Sequence, residues 1–130
     1  MNTKLLMTAT SVVLACLGLA ASFAPQEILT YLGVLPNPGL TIFVQVTGAL
    51  YLAFAMLDWM AKESTIGGIY NRPVAMGNFL HFAVGALALV KGVVAGQTDR
   101  SLWVAAAAYS GLAVLFGVVL FGSPVRPAKP

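Results

Sequence analysis

Apolar residues in this chain come in four long blocks rather than in alternation with polar ones. Residues 5–24, 39–61, 73–95 and 102–122 are each almost wholly apolar. A helix needs roughly 20 such residues to cross a hydrocarbon core. The breaks carry the expected punctuation. Pro36, Pro38 and Gly39 separate the first two blocks. Lys62, Glu63, Gly67, Gly68 and Arg72 separate the second from the third, and Gly96, Gln97, Asp99 and Arg100 divide the last two. Residues 25–35 predict a further short helix. Pro25 suits its first position, Glu27 its first turn and Gly33 its end. Ile28, Leu29, Leu32 and Leu35 give it an apolar stripe, so it is expected to lie in the outer interface; a plain loop is the alternative. The tail, residues 124–130, is proline-rich, cannot continue a helix and is expected to be mobile.

Lipid tails solvate leucine as well as another helix does, so spanning helices associate through small residues and buried polar contacts. Each block has such a stripe at spacings of three and four. The first has Thr8, Ser11, Ala15, Gly18 and Ser22; the second has Gln45, Gly48, Tyr51, Ala55 and Asp58. The third has Asn78, His81, Gly85, Ala88 and Gly92; the fourth has Ala106, Ser110, Ala113 and Gly117. The predicted fold is all-α: an integral membrane four-helix antiparallel bundle, with the short interfacial helix after the first span. Leu, Val and Phe are left to face lipid.

Composition agrees. Of 130 residues, 59% are hydrophobic and 8% charged, against about a quarter charged in a soluble domain. At this length a single membrane domain is expected. The formal net charge of +3 is small, and there is no basic run or nucleic-acid module. The charge instead describes orientation. Lys4, Lys62, Arg72, Arg126 and Lys129 fall on one side of the membrane, Lys91 and Arg100 on the other. That bias places both termini in the cytoplasm of a bacterial inner membrane. Trp59 and Tyr70 then anchor the inner interface, Tyr31 and Trp103 the outer one. The single cysteine, Cys16, excludes an intrachain disulfide and a multi-cysteine metal site. Lys4 and the apolar run before Ala24 loosely fit a secretory signal, and Val13-Leu14-Ala15 before Cys16 admits a lipoprotein reading. The run is long for a signal, and Pro25 is a poor cleavage context, so an uncleaved first span is the reading adopted.

The polar residues inside the blocks are the candidate site. His81 lies eight residues into the third block, about 12 Å along the helix; Tyr51 is about 15 Å from the same interface. If the second and third spans are neighbours, Tyr51, Asp58, Asn78 and His81 form a polar ladder between them. Gln45 and Tyr109 sit nearer the outer half. Intramembrane ionisable groups often mark proton or solute paths, and a midplane histidine suits proton exchange. The competing reading makes Asn78 and His81 interhelical glue, with Asp58 meeting water or Arg72. Gly67, Gly68 and Arg72, at the start of the third block, are a candidate anion or lipid-headgroup site. Lys91 is expected to snorkel, with Glu27 an alternative partner. One histidine cannot give bis-histidine haem ligation within one chain. No cofactor, metal or catalytic residue is expected, since neither a hydrolase triad nor a carboxylate pair is placed for chemistry.

The stretch from "PQEILTYLG" through "GALYLAFAMLDWMAKESTIGGIYNRPVAMGNFLHFAVGALALVKG" resembles a group of small bacterial inner-membrane proteins. In size and four-span layout the chain is also loosely similar to the DoxX-like families. Small multidrug transporters share the size, but they need a carboxylate within the first span, where this chain has none. The resemblance implies a membrane protein and adds no activity. The function read from the residues is a non-enzymatic accessory or interaction subunit, partnered by lipid and by copies of itself or another membrane protein. The alternative is a small-solute or proton-coupled transporter that uses the polar ladder.

Overall fold

The computed structural model describes residues 2–64, 71–96 and 99–122. Its elements are α1 (Thr3–Phe23), α2 (Pro25–Tyr31), α3 (Pro38–Ala61), α4 (Arg72–Val94) and α5 (Arg100–Gly122). The four long helices are all long and apolar enough to cross a membrane, so this is a multi-pass membrane protein. The predicted ends shift slightly: the first helix begins at 3 rather than 5, the last at 100 rather than 102. Capping explains both extensions. Asn2 Oδ1 accepts the Leu5 N–H at 3.2 Å, and Asp99 Oδ1 accepts that of Ser101 at 3.1 Å. Gly67, Gly68, Tyr70, Gln97 and the proline-rich tail lie outside the described residues.

The chain divides into two compact units, residues 1–64 and 65–130. In the first, α1 and α3 pack antiparallel. Lys4 pairs with Glu63 at 2.9 Å at one end, and Ser22 lies against Gly48 towards the other. The face of α1 turned inward is Met7, Thr10, Ser11, Leu14, Gly18 and Ala21, a helical repeat of three and four. Gly18 and Gly48 bring the backbones together. A Cβ on Gly18 would stand 2.9 Å from the Gly48 carbonyl oxygen. One on Gly48 would stand 2.7 Å from the Ser22 nitrogen. The short helix is present and starts on Pro25, as expected, but closes at Tyr31. Gly33 supplies the positive φ of 72°, and the Val34 N–H turns back to the Leu29 carbonyl at 2.9 Å. Leu29 is buried, whereas Leu32 and Leu35 are exposed.

In the second unit α4 and α5 pack antiparallel. Phe79 meets Phe121 edge-on, with centroids 5.6 Å apart, while Gly85 lies under the ring of Tyr109. The expectation that bulky residues face lipid fails here. Phe82 and Phe116 are fully buried and stacked at 5.8 Å. Ala88, assigned to the packed stripe of the third block, is exposed. This pair of stacked rings, one from each helix, fills space between α4 and α5. Leu6 and Leu14 on α1 and Val119 and Leu120 on α5 are buried too, whereas Ile42, Phe43, Val46 and Leu50 on α3, and Val104, Val114 and Val118 on α5, are exposed, as lipid requires.

Candidate functional site

The candidate residues fall into two groups, one in each unit. On α3 the inward face runs Gly48, Ala55, Asp58, with Tyr51 half-buried on the same stripe. Asp58 has no exposed surface. One turn before it, the Ala55 carbonyl accepts the buried Ser11 hydroxyl at 2.8 Å, a direct bond from α1 to α3. Gln45 is exposed, and its side-chain amide donates to the Ser22 carbonyl at 3.4 Å. Beside Ser11, Thr10 is fully buried, and its hydroxyl finds no hydrogen-bond partner among the described residues.

On α4, Asn78 is fully buried, and its Nδ2 donates to the Val74 carbonyl, one turn earlier, at 3.1 Å. His81, half-buried, joins an aromatic cluster. Its ring lies 4.9 Å from Phe82 and 5.6 Å from Tyr109, and Phe82 lies 5.2 Å from Tyr109. Tyr109 presses on Gly85: a Cβ there would stand 2.7 Å from the ring carbons. This small side of α4 is what lets a tyrosine from α5 reach the histidine. Arg72 is exposed as the first residue of α4, and Lys91 is exposed in its last turn.

The sequence singles out Asp58, Asn78 and His81 as polar residues of the spans and Ser11 as part of a packing stripe, and the structure buries or half-buries all four. The sequence does not single out Thr10 or the ring cluster around His81. Thr10 was readable from its spacing with Met7 and Leu14. Phe82 and Phe116 carried no such signal, since phenylalanine suits lipid and a helix interface equally. Among the described residues no three of His, Cys, Asp and Glu gather where a metal would need them. The two groups place hydrogen-bonding and ionisable side chains inside spans, with a histidine beside aromatic rings.

No family model matches this chain, and no curated protein or solved structure is significantly similar to it. The likeness to DoxX-like proteins is thus one of size and span layout, and no family is identified.

Proposed function

We propose that the chain is a non-enzymatic accessory or interaction subunit of a bacterial inner membrane, with both termini in the cytoplasm. The carrying observation is what the polar groups of the spans bond to. Ser11, Gln45 and Asn78 each donate to a backbone carbonyl, of the packed helix or of their own. Such bonds act as glue between and along helices. The outward faces of α3 and α5 present apolar surface suited to lipid or to another spanning helix. The bias of five basic residues against two supports the orientation.

A second reading, a small-solute or proton-coupled transporter, is favoured by Asp58. A carboxyl group with no exposed surface inside a spanning helix is costly and often functional. Its candidate residues are those of the proposed polar ladder, Asp58 and Tyr51 on α3 and Asn78 and His81 on α4. Two measurements separate the readings. Native mass spectrometry of the protein released from its own membranes should find a second subunit at fixed stoichiometry; repeated recovery of the bare chain would overturn the accessory reading. In proteoliposomes, Asp58→Asn and His81→Gln should leave proton flux unchanged. A folded Asp58→Asn variant that loses flux shown by the parent would establish the transporter instead.

A further inference from the structure

Charge is unevenly placed along the first unit. Lys4, Asp58, Lys62 and Glu63 all lie towards the end where α1 begins and α3 finishes, with Lys4 paired to Glu63 and Lys62 over the Trp59 ring. Among the described residues of this unit, Glu27, on α2, is the sole charge at the opposite end, and it is exposed. Two adjoining grooves open there. One, of about 520 Å³, is lined by Glu27, Thr30 and Tyr31; the other, of about 490 Å³, by Asn37, Thr41 and Ile42. Gln26 and Pro36 line both, so the grooves share a wall.

The two halves differ in chemistry. The first holds a carboxylate and the acceptor oxygens of Thr30 and Tyr31. The Thr30 hydroxyl already donates to the Gln26 carbonyl at 2.8 Å, so it has only acceptor capacity left. The second holds donors and no acid. Asn37 Oδ1 is taken by the Leu40 N–H at 2.9 Å, which turns its amide NH₂ to donation, and Gln26 and Thr41 add further N–H and O–H groups. A ligand with a cation at one end and an anion beside it fits this pair. Below the second groove, Ile42, Val46 and Leu50 form an exposed apolar ridge along one face of α3, about 12 Å long.

We propose that the grooves beside α2 hold the headgroup of a phosphatidylethanolamine-type lipid. Its primary ammonium meets Glu27, its phosphate meets Asn37, Gln26 and Thr41, and an acyl chain lies along Ile42, Val46 and Leu50. The ridge selects a lipid over a soluble amine, because a free headgroup would leave it unused. The inference requires only that the chain spans a bilayer and is independent of the accessory and transporter readings.

The test is native mass spectrometry of the full chain ejected from nanodiscs containing equal phosphatidylethanolamine and phosphatidylglycerol. The expected result is preferential retention of phosphatidylethanolamine. Glu27→Gln should reduce that preference by roughly two- to fivefold, the range that one interfacial ion pair carries. Glu63→Gln, at the other end, should leave it intact. Equal retention of the two lipids by the parent chain, or an unchanged preference in Glu27→Gln, would overturn the proposal. Stoichiometric binding of added ethanolamine in lipid-free detergent, lost in Glu27→Gln, would also overturn it in favour of a soluble amine. Glu27 is exposed, and its replacement removes no packing contact; an unchanged circular dichroism spectrum verifies the fold.

Discussion

Gly48→Ala is the most demanding perturbation of the first unit. The added methyl would lie 2.6 Å from Ser22 Oγ, 2.7 Å from Ser22 N and 2.9 Å from Ala21 Cβ. The hydroxyl can rotate away, but the backbone nitrogen cannot. Alanine gains about 1 kcal/mol over glycine in a helix interior, and overpacking a close contact costs about 1–3 kcal/mol. Since the atom struck is backbone, the upper end applies, and the net loss is about 2 kcal/mol, up to roughly thirtyfold in the folded ratio. Gly111→Ala is the matched control, because nothing lies within 4 Å of the methyl it adds; the propensity term alone should leave it neutral or slightly more stable. The assay is unfolding by SDS titration in mixed micelles. Trp59 emission in a Trp103→Phe background reports on α3, and Trp103 emission in a Trp59→Phe background reports on α5 and the Gly111→Ala control. The midpoint should fall in Gly48→Ala and hold in Gly111→Ala. Gly18→Ala, whose methyl would stand 2.9 Å from Gly48 O and Leu52 N, should combine with Gly48→Ala less than additively, because either one already opens the same crossing. Equal midpoints for Gly48→Ala and Gly111→Ala would refute the close-approach account.

Two further outcomes follow from neighbouring contacts. Ser11→Ala should destabilise the first unit by about 1 kcal/mol through loss of the bond to Ala55, whereas Thr10→Val, which removes a buried hydroxyl that bonds to none of the described residues, should be neutral or stabilising in the same titration. Gly85→Ala should cost less than Gly48→Ala, because it strikes only the Tyr109 ring, yet it should alter the near-ultraviolet dichroism of the aromatic cluster; an unchanged spectrum would mean the ring does not rest on Gly85.

The spans were legible because the bilayer writes them into the sequence. Twenty apolar residues between polar breaks leave one structural choice, since unpaired backbone groups cannot remain in hydrocarbon. Helix ends were read less well. Asn2 and Asp99 act through a single hydrogen bond, and nothing in the apolar pattern weighs that bond. The short helix was legible from Pro25 and Gly33, but its stripe was not. By spacing Leu32 and Leu35 continue the face of Ile28 and Leu29, whereas the helix ends before them.

The small-residue rule explains one pair of helices better than the other, and the difference is physical. In α1 and α3, glycine and serine let backbones approach until hydroxyls reach carbonyls across the gap, so Gly18, Gly48 and Ser11 could be picked out by residue type. In α4 and α5, glycine serves a ring instead: Gly85 makes room for Tyr109, and Phe82 stacks on Phe116. Nothing apolar drives such rings together in lipid, because acyl chains contact them as well as each other. Their association rests on the shape of the stack and on edge-to-face geometry. That preference belongs to a pair of residues 34 apart in sequence (116 − 82), and it is invisible to any scheme that sorts single residues into lipid-facing and packed. For the same reason His81 was legible as a polar residue in a span while its surroundings were not. Of its two aromatic walls, Phe82 is its neighbour on α4, but Tyr109 comes from α5, whose register on α4 only the ring contacts reveal.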